Sequence, residues 1–416
     1  MTRAPLICIV DATSSGALYP AAIRARGFES LHVQTLDPYP PLYQPSFVRG
    51  DHAANIVFAG DLQECARRVA AHRPVCVIPG TETGVFLADS LSELLGLPTN
   101  GTKLSPARRD KLVMQQMIAK AGVRSIPSHA AADWASIEAW IDRLGQLPIV
   151  LKPSASAGTD RVFVCKTLAQ AEGAFRSIVG AANIVGHRND TVIAQQYMQG
   201  VEYMMNTVSC AGHHLMTDSW RMNKVVGQHP VYEYGQLQDP TSALHQQLFD
   251  YTCSVLDALG IRFGAVHTEL MLTDEGPVLI EAGCRVDGQK SPVLAKAALG
   301  YSQIEVTLDA HLHPEAFFAR LATPAQALPR QASRVELICP RSGRVTGLPR
   351  LDEVRALRSF FQIALSIHVG DQAARTIDMM TCPGFIDLVH EDPRVIEQDY
   401  LRIRAWEADN FYELAD

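Results

Sequence analysis

The 416-residue sequence contains no apolar run approaching the roughly 18 residues that a membrane-spanning helix needs. Its amino terminus carries one basic residue, Arg3, and a five-residue apolar run broken by Asp11, too short for the apolar part of a secretory signal. Basic runs are missing too. With 37 Lys plus Arg against 44 Asp plus Glu, the net charge of −7 excludes a general nucleic-acid binder and leaves small molecules as the expected partners. The nine cysteines are scattered, odd in number and never closer than 11 residues, so neither a CxxC pair nor a zinc knuckle is available, as suits a reducing cytoplasm. Internal repeats and low-complexity tracts are absent. What is present, 47% hydrophobic and 19% charged residues, excludes a disordered or fibrous chain and allows two or three domains around a large core.

The order of patterns predicts three parts. Over residues 1–100, apolar runs at 6–10, 31–36, 56–58 and 75–78 alternate with helical patterns at 61–72 and 82–95, which predicts a parallel sheet with helices on both faces. The small, polar loop 11–16 after the first strand could serve a dinucleotide, but GxGxxG is absent, and a packed loop near some other site is preferred. Over 101–313, Ser105 is the expected N-cap with Pro106 at the first helical position and Val113, Met117 and Ala121 on one stripe. A helix at 134–144 follows, then strands at 148–152 and 162–166 flanking loop 153–161, and strands at 192–197, 202–210 and 214–220. A helix at 241–259 and strands at 263–272 and 277–282 complete this part. Over 314–416, strands at 334–339, 361–368 and 385–389 with a helix at 393–407 predict a mostly antiparallel α+β unit.

The most informative segment is the hairpin over 263–285. A three-residue loop with Gly276 in the left-handed position centres it on Glu275, and Glu269 then stands opposite Glu281. Side chains so paired have Cβ atoms about 4.5–5.5 Å apart. Two carboxylates at that distance repel unless a cation lies between them, and hard oxygen ligands favour magnesium or manganese; a solvated hairpin with incidental acids is the alternative. Arg285, four residues on, shares the face of Glu281 if the strand stays extended. Lys152 ends an apolar strand before a loop of small residues, an arrangement that lets backbone N–H groups and a lysine meet a polyphosphate. The turn 195–202 can offer backbone groups to an adenine edge, with Glu202 placed to accept ribose hydroxyls. His213, His214, His229, His311 and His313 lack regular ligand spacing, so no zinc site is expected. His267, one pleat from Glu269, can reach the same site or be a satisfied core histidine.

In order and spacing, from about residue 100 to 310, these pieces resemble the ATP-grasp superfamily. The resemblance covers Lys111, Lys152, the loop with Ser154, Ser156 and Gly158, the hinge Gln195, Gln196, Tyr197 and Met198, then Glu202, Glu269 and Glu281. It implies an ATP-grasp fold: a Rossmann-like α/β domain at 1–100, a two-lobed domain at 101–313 hinged near 195–198, and an α+β domain at 314–416, as in the carboxylase-like branch. The run Ile280-Glu-Ala-Gly-Cys-Arg-Val-Asp-Gly288 is similar to the bacilysin-type L-amino acid ligases, whose metal strand ends Glu-x-x-x-Arg-x-x-Gly. The same resemblance implies that the residues from Lys111 to Glu202 bind ATP, that Glu269 and Glu281 hold Mg2+ or Mn2+, and that Glu281 and Arg285 are catalytic. Arg285, Gly288, Gln289 and His267 would then face the substrate, and 161–166 and 224–235 would close as a lid. The implied reaction passes through an acyl phosphate to an amide, releasing ADP and phosphate, and a homodimer follows by analogy. Two positions depart from the family pattern: Gly283 stands where asparagine is usual, leaving ligation of a second magnesium open, and Gln195 replaces the usual acid. A bicarbonate-using enzyme, a nucleotide-binding protein without chemistry and a dinucleotide-dependent oxidoreductase are the competing readings.

Overall fold

The computed structural model describes residues 4–154, 160–183, 188–226, 230–288 and 291–415. Near the amino terminus a four-stranded parallel sheet runs in the order Ala54–Val57, Glu29–Gln34, Leu6–Val10, Pro74–Pro79. Alternation along the buried Leu6–Val10 strand builds two cores. Ile7 and Ile9 pack with Tyr19 and Ile23 of the Tyr19–Arg24 helix on one face, while Cys8 and Val10 pack with Val69 and Leu91 of the Leu62–Ala70 and Val85–Leu94 helices on the other. The loop after the first strand is packed: a Cβ on Gly16 would lie 2.3 Å from the Gly80 carbonyl oxygen, so only glycine fits there.

A second antiparallel sheet, ordered Ser128–Ala131, Val192–Gln196, Ile149–Pro153, Phe163–Cys165, has four strands and is backed by the helices Trp134–Leu144 and Leu168–Ile178. Its core joins Ile137, Ile141, Ile149, Leu151 and Phe175. The helix ahead of it corrects the expected cap. Ser105–Arg108 is a short 3-10 turn, and the α-helix is Lys111–Lys120, capped by Asp110, whose carboxylate accepts from the N–H groups of Leu112 and Val113. That shift of register buries Met114, Gln115 and Ile118 and leaves Val113 and Met117 half-buried at the margin.

The largest sheet has eight strands in the order Gly276–Gly283, Gly264–Thr273, Val201–Cys210, His213–Val226, Pro230–Leu237, Gln331–Glu336, Gly384–His390, Phe360–Leu365. Pro230–Leu237 is a strand in the middle of it, so the expected lid over 224–235 is largely sheet. The last three strands come from beyond residue 314 and continue the same ladder. Helices Ser291–Leu299, Gln303–Leu312 and Pro314–Leu321, which the sequence patterns left unassigned, pack on it; the second begins with a capping box between Ser302 and Glu305. Among the described residues no helix is long and apolar enough to cross a membrane.

The hairpin reaches the expected pairing by a different route. Thr273 pairs with Gly276, so the turn has two residues, Asp274 and Glu275, and the register from Leu270–Leu279 outward is one short of that expected. A bulge between Glu269 and Leu270 restores it, so Glu269 faces Glu281, Thr268 faces Ala282 and His267 faces Gly283.

Candidate active site

The parallel unit, the small lobe, the eight-stranded sheet and the C-terminal strands all line one cleft of about 810 Å³. Lys111 enters it from the first turn of its helix, with Nζ 2.8 Å from Glu281 Oε1. Lys152 enters from the end of the Ile149–Pro153 strand; burial and then the neighbouring Lys111 push its pKa down to about 8. Glu269 and Glu281 lie side by side on the paired strands, their side chains 26% and 29% exposed toward the cleft. Burial works to raise the pKa of Glu269, but the hydrogen bond and charge of His267, with Lys224 and Lys111, hold it at about 2. Two adjacent anionic oxygen donors beside two lysines suit a magnesium ion that a nucleotide's phosphates would complete. Among the described residues no group of three or more His, Cys, Asp and Glu side chains could hold a metal unaided.

Glu202, buried on the neighbouring strand, is already engaged: it accepts from Tyr232 Oη at 2.8 Å and pairs with Lys224. The hinge residues Gln195, Gln196, Tyr197 and Met198 line the cleft, with the Gln195 amide donating to Ser128 Oγ at 3.0 Å. Ser154 does not line it; its carbonyl accepts from the Lys111 N–H at 3.5 Å. Ser156, Gly158 and Gln289 lie outside the described residues. His267 and Gly288 reach the cleft. The His267 ring sits 2.9 Å from Asn206 Oδ1, 3.4 Å from Asp287 and 3.5 Å from Glu269. Burial lowers its pKa, but Asp287 and Glu269 outweigh that and raise it above the ordinary histidine value.

Arg285 does lie on the cleft, with an unforeseen partner. Its Nε donates to Glu82 Oε2 at 3.1 Å, and Glu82, from the loop after the Pro74–Pro79 strand, also pairs with Arg109. Burial alone would raise the Glu82 pKa; Arg109, Arg285 and Lys111 together hold it at about 2. This pair also accounts for Gly283. A Cβ there would stand 3.1 Å from Glu82 Oε2 and 3.2 Å from Arg285 Cζ, so any larger residue, asparagine included, would require the ion pair to shift by a few tenths of an ångström. Sequence patterns missed Glu82, Arg109, Lys224 and the C-terminal wall. For Glu82 a signal existed, since loops at the carboxyl ends of parallel strands are where ligands bind; for the others the placement is long-range.

No protein-family model matches the chain. Dapdiamide A synthase of Enterobacter agglomerans is 35% identical over 418 residues, which span 98% of this chain and 97% of that protein. An uncharacterised protein of Sinorhizobium fredii is 22% identical over 280 residues, 67% of this chain and 56% of the relative. Among solved structures, the L-amino acid ligase of Bacillus licheniformis shares the fold with a TM-score of 0.74 at 18% identity, covering 97% of this chain and 98% of that one. The N5-carboxyaminoimidazole synthetase of Staphylococcus aureus in complex with ADP does so with a TM-score of 0.70 at 13% identity, over 97% and 98% of the two chains. With identity to a synthase of this kind running through nearly the whole of both chains, the chain belongs to the ATP-grasp ligases and is an ATP-dependent, ADP-forming enzyme that makes carbon–nitrogen bonds.

Proposed function

We propose that this ligase joins two amino acids, or an amino acid and a related carboxylate, through an acyl phosphate. The observation that carries the reading is the convergence of Lys111, Lys152, the Glu269–Glu281 pair and Arg285 on one cleft. Lys152 and Lys111 offset the charge of the nucleotide phosphates, and Glu202 with the hinge holds ribose and adenine once Lys224 yields. Glu269 and Glu281 would hold magnesium, which when bound offsets charge on the phosphoryl oxygens. Arg285 orients the substrate carboxylate with its planar fork, so that a carboxylate oxygen attacks the γ-phosphorus and ADP leaves. The amine nitrogen then attacks the acyl carbon, phosphate departs with the bonding pair, and the amine proton is lost. Divisions near residues 100 and 313, a cytoplasmic setting and a homodimer belong to the same reading.

The acyl phosphate gives the test. With hydroxylamine in place of the amine, the enzyme should convert ATP and one amino acid to a hydroxamate and ADP, followed by colorimetry and nucleotide chromatography. AMP with pyrophosphate would refute the acyl-phosphate route. Phosphate release that needs two amino acids together, and not one alone, separates peptide-bond formation from idle ATP hydrolysis.

A further inference from the structure

The C-terminal wall of the cleft has no role in the reaction described above, yet it holds a buried carboxylate that forms no ion pair with any described residue. Glu336 ends the Gln331–Glu336 strand, lines the cleft and is 7% exposed. Two residues earlier, on the same face of the strand, Arg334 is engaged by Asp387: Nε lies 2.8 Å from Oδ1 and Nη2 2.9 Å from Oδ2, with the guanidinium 3.8 Å above the Phe385 ring. That pair is neutral as a unit. Arg404 pairs with Glu407 and reaches Glu336 only at its backbone carbonyl, at 2.7 Å.

Around the Glu336 carboxylate itself the described residues provide one polar contact, Cys382 Sγ at 3.7 Å from Oε2. A thiol has a single proton, and the carbonyl oxygens of Gly384 at 3.1 Å and Leu337 at 3.3 Å are nearer to it. Among the described residues the carboxylate therefore has no committed donor. Burial is the first cause of its raised pKa, and Arg334, the leading opposing influence, does not cancel it. Burying a carboxylate without a partner is costly, and a glutamine would fill the same space without that cost. Met379, Met380 and Ser366 line the same cleft as the acid.

The sheet register fixes where this acid lies relative to the nucleotide residues. Arg334 pairs with Gly235, Gly235 with Met222 and Met222 with Glu202, three strand spacings or about 14 Å in all. Between them lies Gly235, over which the Met222 side chain packs, its Sδ 3.0 Å from where a Cβ would stand. We infer that Glu336 anchors a second cationic nitrogen of a substrate, an ammonium or guanidinium at the end of an alkyl side chain. The inference rests on the reading that the substrates are amino acids.

Calorimetric titration of the full chain with lysine and with norleucine, which differ by the terminal ammonium, tests it. Lysine should bind tighter by about 10- to 100-fold, the range for a hydrogen bond to a charged group. In Glu336→Gln that preference should collapse to within about twofold, with a thermal midpoint no lower than that of the parent, because a buried unpaired charge has been removed. Equal affinity in the parent, no binding of either amino acid, or a preference that survives Glu336→Gln overturns the assignment. If lysine is preferred but no pair of amino acids releases phosphate from ATP, the anchor stands and the proposed reaction fails.

Discussion

Glu82→Gln keeps shape and removes the charge that two guanidinium groups share. The Glu82 side chain is 6% exposed, its pKa is held at about 2 against an ordinary 4.5, and Arg109 and Arg285 are both in contact with it. A shift of that size corresponds to about 3 kcal/mol of stability, at the lower end of the roughly 3–5 kcal/mol lost when one partner of a buried ion pair is removed. The folded-state pKa is depressed, so this contribution is complete above pH 4.5 and is lost as pH falls through about 2. If the 416 residues unfold as one unit, the thermal midpoint should drop by about 3–4 °C, and by more if the parallel sheet unfolds separately. Differential scanning calorimetry of parent and variant from pH 8 to pH 3.5 measures it. The difference should be flat above pH 5 and narrow below pH 4.5. A loss under about 1 kcal/mol, or one independent of pH, would show that the two arginines are satisfied without Glu82.

Lys152→Ala should weaken ATP binding by at least tenfold while leaving circular dichroism unchanged, and nucleotide affinity of the parent should fall as pH rises through about 8, where the buried ammonium loses its proton; isothermal titration at pH 7 and 9 checks both, and undiminished affinity in the variant removes Lys152 from the site. Arg285→Lys preserves charge but not the fork, so ATP should bind normally while turnover falls by ~100-fold, and recovery at high magnesium would contradict a role on the substrate carboxylate.

How much of this was readable from the sequence depends on how local each cause is. Glu269 opposite Glu281 was legible because a hairpin ties pairing to position, yet the agreement was compensated: a shorter turn and a bulge cancel. The Asp110 cap was hidden by a stronger-looking Ser-Pro signal five residues upstream, where the chain makes only a 3-10 turn. Lys224 was expected to belong to a lid shielding the acyl phosphate, but in the sheet it meets Glu202 across 22 residues of sequence. The partnership of Glu82 with Arg285 spans 203 residues and leaves no periodic trace. Gly283 was seen as a departure; its reason appears only when the parallel unit is placed against the hairpin.

The eight-stranded ladder has a further consequence for how the chain can be cut. Ending it after residue 313 would keep both phosphate lysines, both hairpin glutamates and Arg285, but would strip Gln331–Glu336 from the edge of Pro230–Leu237. The exposed N–H and C=O groups would then form an open template for pairing with another copy. Such a fragment should associate rather than behave as a portable ATPase, and exchanging C-terminal segments between relatives should succeed only when the Pro230–Leu237 strand travels with the three strands that complete it.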